Sequence, residues 1–115
     1  AVYVNQCHVT LFSAWPTSAA WRGRAGTLAF AQAKAAQRST AQSLARRYGP
    51  DGIHVAYLVI DGVVDLPRTR EHMPAKPDDF FLNPDHIALT VYNVVHQPRS
   101  AWSFEVDVRP HIEEW

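Results

Sequence analysis

The 115 residues contain a single cysteine, Cys7, so no internal disulfide can form and no second thiolate is present to build a zinc site. Such cysteine usage fits a reducing compartment, and the cytoplasm is the expected location. Long apolar runs are missing as well. None approaches the roughly 20 residues that cross a bilayer, and the first residues show no basic segment leading into an apolar signal core. A membrane role is therefore not expected. An excess of charge of one sign is also missing: 11 Lys and Arg against 11 Asp and Glu leave a formal net charge of +0. Without a long-range field to gather a polyanion, a nucleic-acid partner is not expected. The histidines, six in number, show no pair at i, i+4 on one helix, and no metal site is expected.

What is present is apolar mass. With 47% hydrophobic and 19% charged residues the chain can build a core, and its length suits one domain over residues 1–115 rather than two. Val9 to Phe12 reads as a short strand, followed by a polar, turn-forming stretch from Ser13 to Thr17. The segment from Thr27 to Tyr48 is rich in Ala, Gln, Leu and Arg and reads as a helix, with Leu28, Ala31, Ala35, Ala36, Leu44 and Ala45 as its small or apolar positions. Arg46 and Arg47 suit the negative pole of its dipole, and Gly49-Pro50-Asp51-Gly52 stops it. Ile53 to Ile60 is almost continuously apolar, as a strand covered on both faces by helices would be. Asp61 to Asp79 reads as a long irregular loop, of the kind that serves a site. Asn83-Pro84-Asp85 opens a second helix to about His96. Trp102, Phe104, Val106 and Val108 alternate with polar residues, the pattern of a strand with one wet face, expected at a sheet edge or a subunit contact. The expected fold is α/β, a partial Rossmann-like doubly wound parallel sheet of three strands with two main helices.

Within the first helix, FAQAK places Phe30 and Lys34 one turn apart on the same face. Together with SLARRYGPDGIHV and the turn at Gly62, it makes the run from Ala29 to Asp65 resemble the C-terminal half of a short-chain dehydrogenase/reductase. The similarity covers Val9 to about Val108. In that family the helix carries Tyr-x-x-x-Lys and the next strand ends in a turn over the nicotinamide. The tyrosine passes a proton as hydride moves, and the lysine lowers its pKa and holds the cofactor ribose.

Carried over by position, the resemblance puts Lys34 at the lysine and Phe30 at the tyrosine. The serine that polarises the substrate falls on Thr17 by the family spacing, or near Trp15 if the preceding strand is aligned instead. Gly62 and Val64 stand at the nicotinamide contacts, and Leu66 replaces a threonine often found there. The resemblance thus implies NAD or NADP as cofactor and an NAD(P)-dependent oxidoreductase moving hydride between carbonyl and alcohol, with the loop 61–79 shaping a small-molecule pocket. A phenyl ring has no proton to give, and the glycines at 23, 26, 49, 52 and 62 form no G-x-G-x-x-G turn for a pyrophosphate. This chain alone is expected to be impaired or inactive.

The alternative is a non-catalytic association module. The resemblance implies a homo-oligomer, through the helix 27–48 and through the last helix and strand. Plainer roles stand beside these: Lys34 as a surface lysine, Phe30 as core, Arg68 and Arg70 as a solvated loop face or a clamp on a carboxylate or phosphate, and residues 113–115 as a free tail.

Overall fold

A computed structural model of the chain describes the backbone of residues 7–14 and the whole of residues 25–112. Strand β1 (Cys7–Ala14) leads to helix α1 (Leu28–Tyr48) and strand β2 (Ile53–Ile60). Short elements follow: β3 (Val63–Val64), α2 (Pro67–His72) and β4 (Phe81–Leu82). Helix α3 (Pro84–Val95) and strand β5 (Glu105–Val108) complete the order. The main sheet is parallel, in the order β1-β2-β5, and β3 pairs with β4 in a separate parallel ladder. The expected class, three parallel strands with two main helices, is the one observed.

Strand β2 is central and its apolar run is explained by cover on both sides. Tyr57 and Val59 pack with Ala41 of α1, whereas Leu58 and Ile60 form a second cluster with Ile87 and Val91 of α3. Successive strand side chains point to opposite faces, so α1 and α3 lie on opposite faces of the sheet. Both crossovers, β1 to β2 and β2 to β5, step the same way across the sheet. Two right-handed crossovers in one direction would put their helices on one face. The two therefore have opposite hands, and one is the left-handed kind found in about one crossover in fifty.

Local chemistry sets the element ends. The Asn83 side chain accepts from the Asp85 N–H at 2.8 Å, and Pro84 occupies the first turn of α3, as the sequence suggests. At the end of α1 the left-handed residue is Gly52, with φ +81°; Gly49 stays right-handed and opens a 3-10 turn.

Several expectations need correction. Strand β1 runs on through Ser13 and Ala14, because the ladder with Val59 and Ile60 continues past the apolar run. The segment 61–79 is not irregular. It holds β3 and α2, started by Pro67 and by the Thr69 hydroxyl, which donates to the Val64 and Leu66 carbonyls and accepts from the Leu66 N–H. On α1 only Ala41 is fully buried, and Leu28 is 71% exposed, because the helix meets the sheet over one narrow stripe. Strand β5 starts at Glu105, and the alternation breaks before it: Phe104 packs on the α1 face, Val106 and Val108 on the α3 face. The face taken as wet is covered in part by α1, whose Arg38 guanidinium holds Glu105 at 2.5 Å. That hydrogen bond raises the Arg38 pKa further.

Candidate functional site

Helix α1 returns the chain between two parallel strands and so runs antiparallel to them. Ala41 marks the level of Tyr57 and Val59. Seven residues back along the helix, about 10 Å at 1.5 Å each, stands Lys34. Three residues on from Val59, about 10 Å at 3.3 Å each, stands Gly62. Lys34 and Gly62 thus share one level, at the edge where the strands end, and Phe30 lies a turn beyond. Seven residues are also close to two full turns, which keeps Lys34 on the sheetward side with Ala41 and leaves it half-buried.

The Lys34 ammonium lies 5.4 Å from the centre of the Phe30 ring and reaches Gln37 Oε1 at 3.4 Å. Among the described residues no carboxylate pairs with it. Phe30 is half-buried rather than sealed in the core. Thr17, and Trp15 with it, lie outside the described residues.

Gly62 has a packing role. A Cβ built there would come within 2.7 Å of Pro110 Cδ and 3.1 Å of Leu82 Cδ1, so the glycine lets the chain after β5 close over the end of β2. Val64 is half-buried in β3, opposite Leu82, and its carbonyl accepts from the Thr69 hydroxyl at 2.6 Å. None of Phe30, Lys34, Gly62 and Val64 lines a large cleft that the described residues form. That cleft, of about 870 Å³, opens on the α3 side between the 65–82 segment, the start of α3 and the end of β5. Pro110 lines it and stands against the position of Gly62.

Two arginines order this edge of the sheet. Arg109, only 12% exposed, pairs with the buried Asp61 at 3.4 Å and with Asp107. The parallel register carries a signal for this pair, because Ile60 faces Val108 and the next residues on the two strands are Asp61 and Arg109. Arg70 grips Asp65 with two arms, at 2.6 and 2.8 Å, takes Asp78 at 2.6 Å, and lies 4.0 Å over the Phe81 ring. Its hydrogen bonds to both carboxylates push its pKa up, and its bonds to Asp65 hold that carboxyl below its usual value. Arg70 is thus a carboxylate clamp, and the carboxylates are the chain's own. Among the described residues no three His, Cys, Asp or Glu side chains gather as a metal site, and no helix is long and apolar enough to cross a membrane.

No family model and no curated protein matches the sequence. Solved structures do. A short-chain dehydrogenase from Rhodopseudomonas palustris is 34% identical over 92% of this chain, with a TM-score of 0.62. The chain has the fold of part of a short-chain dehydrogenase. A short-chain oxidoreductase from Pseudomonas aeruginosa, solved in its apo form and containing an atypical catalytic center, superposes over 94% of the chain at TM-score 0.70 and 15% identity. An alcohol dehydrogenase from the archaeon Thermococcus sibiricus, complexed with 5-hydroxy-NADP, does so over 95% at TM-score 0.65 and 17% identity. The chain spans 38%, 48% and 43% of the length of these three proteins, respectively.

Proposed function

We propose that this chain supplies the nicotinamide-facing part of an NAD(P)-dependent short-chain oxidoreductase acting on a carbonyl or alcohol, and that with Phe30 in the tyrosine position it is impaired or inactive by itself. The observation that carries the reading is the common level of Lys34 and Gly62 at the C-terminal edge of a parallel sheet, with Phe30 one turn from Lys34. Ligands of open α/β sheets bind outside the carboxyl ends of the strands.

The residues fit one end of the cofactor. Lys34 has an ammonium free of carboxylates among the described residues and would hold the ribose hydroxyls beside the nicotinamide. Gly62 and Val64 offer backbone near the end of β2, with Pro110 packed against Gly62. The pyrophosphate end finds no glycine-rich turn in this sequence. Bound there, the cofactor supplies a hydride. Lys34 orients and adds positive charge, but no phenol stands at position 30 to move a proton, and loss of a general acid removes a factor of about 10² to 10⁴ in rate.

Phe30→Tyr tests the reading. The phenol it installs lies next to the Lys34 ammonium, so carbonyl reduction with NADH or NADPH should rise by about 10² or more over the parent chain and fall again in Phe30→Tyr/Lys34→Ala. A Phe30→Tyr protein that binds NADPH and reduces carbonyls no faster than its parent contradicts it.

A second reading has its own support. Helix α1 buries only Ala41 fully, and α3 leaves Leu89 57% and Tyr92 59% exposed. Those surfaces suit a homo-oligomer built through α1 and through α3 with β5, a non-catalytic association module. Light scattering decides it: a folded, strictly monomeric chain at high concentration counts against association.

A further inference from the structure

The ladder between β2 and β5 ends where Ile60 faces Val108, and the chain then passes to the separate ladder of β3 and β4. The joint between the two ladders is Asp61-Gly62. Three consecutive residues at the end of β5 hold it. The Val108 carbonyl accepts from the Asp61 N–H at 2.9 Å, the Arg109 guanidinium pairs with the Asp61 carboxylate at 3.4 Å, and Pro110 packs against Gly62.

The ion pair is closed off from water. The side chains of Asp61 and Arg109 are 8% and 12% exposed, and Arg109 also takes Asp107, so the cation stands between two carboxylates. Gly62, lacking a Cβ, has the widest backbone freedom in the joint. Apolar packing by Pro110 and Leu82 limits its space but has no direction of its own. A buried guanidinium and carboxylate are different, because a small slip of either partner leaves a charge uncompensated in a medium that cannot solvate it. The pair therefore favours one arrangement of the joint over its neighbours.

We propose that Asp61 and Arg109 are a positioning pair for the cofactor site: their buried ion pair fixes the joint after β2 and with it the backbone of residues 62–64 at the level of Lys34. What that backbone meets rests on the nicotinamide reading; that it is held rests on the ion pair. Neither side chain is given a contact with the cofactor, and Arg109 lines the cleft on the α3 side.

Amide exchange and NADPH binding, both measured by magnetic resonance on the full chain, test it. Arg109→Gln leaves the Asp61 carboxylate buried and unpaired, and exchange at 62–64 should quicken by about 10-fold or more relative to the amides of β2. Affinity for NADPH should fall by about 10- to 100-fold, the scale on which loss of a supporting partner weakens a ligand site. Asp61→Asn, which removes the buried carboxylate and leaves Arg109 with Asp107, should act in the same direction and more mildly. Arg109→Lys keeps a cation and should recover part of both losses. Val94→Ala is the control: it empties a buried position in α3, lowers stability, and should change neither the exchange ratio nor the affinity. Exchange at 62–64 no faster in Arg109→Gln than in Val94→Ala, or parent-like NADPH affinity in both Asp61→Asn and Arg109→Gln, overturns the positioning pair and leaves the nicotinamide reading standing. A parent chain that binds no NADPH fails the nicotinamide reading, and the exchange ratios still decide whether the pair holds the joint.

Discussion

Tyr57 sits at the centre of β2 with no exposed surface, and its phenol oxygen finds no hydrogen-bond partner among the described residues. A buried hydroxyl that has given up water and gained nothing costs about 1–3 kcal/mol. Tyr57→Phe removes that cost and keeps the ring that packs with Ala41, Val59 and Phe104. The oxygen leaves a space of about one atom, whose lost contacts offset a few tenths of a kcal/mol. The expected net effect is a stabilisation of about 1 kcal/mol, which for a domain of this size raises Tm by about 3–6 °C. Urea unfolding followed by circular dichroism is the assay: the midpoint should rise while the slope stays constant, since the area exposed on unfolding hardly changes. Removal of the whole ring is the contrast, because Tyr57→Ala opens a cavity and should cost about 3–5 kcal/mol. A Tyr57→Phe variant that loses 1 kcal/mol or more would show that the hydroxyl is bonded and that the packing around the central strand is misread.

Two other substitutions probe the edge of the sheet. Gly62→Ala drives a methyl to 2.7 Å from Pro110 Cδ and should destabilise by about 1–3 kcal/mol in the same denaturation assay, whereas a neutral result would mean that the segment after β5 yields freely. Asp65 is held below the ordinary carboxylate value of about 3.9 by Arg70, so its contribution is fully present above that value and is lost as pH falls through the lower folded value. Protection of the 64–72 amides, taken relative to their intrinsic exchange rates at each pH, should therefore fall more steeply below about pH 4 in the parent chain than in Asp65→Asn, and identical acid profiles would remove Asp65 from the clamp.

Much of this architecture was legible because it rests on local chemistry. The continuous apolar run of Ile53 to Ile60 announced a strand covered on both faces, and α1 and α3 cover it. Asn83-Pro84-Asp85 marked the start of α3 because a cap is a contact between neighbours. What the sequence concealed depends on distant partners. Glu105 looked like a solvent-facing residue because Arg38, its partner, is 67 positions away. Phe104 fitted a simple alternation because nothing local reveals the bend that turns it toward α1. Gly62 stands at a cofactor contact by resemblance, and the packing of Pro110 against it, 48 positions on, is visible only in space. For the site, Phe30 and Lys34 were legible as a one-turn pair, but their level relative to Gly62 follows only from the contact of Ala41 with Tyr57 and Val59.

The most direct measurement is a titration of the isotopically labelled chain with NADPH, read by amide chemical shifts. Shifts concentrated at Phe30, Lys34 and 62–64, weak in affinity and abolished by Lys34→Ala, are the expected result. No shifts at millimolar nucleotide, or shifts that leave those residues untouched, would contradict a nicotinamide site at the ends of these strands.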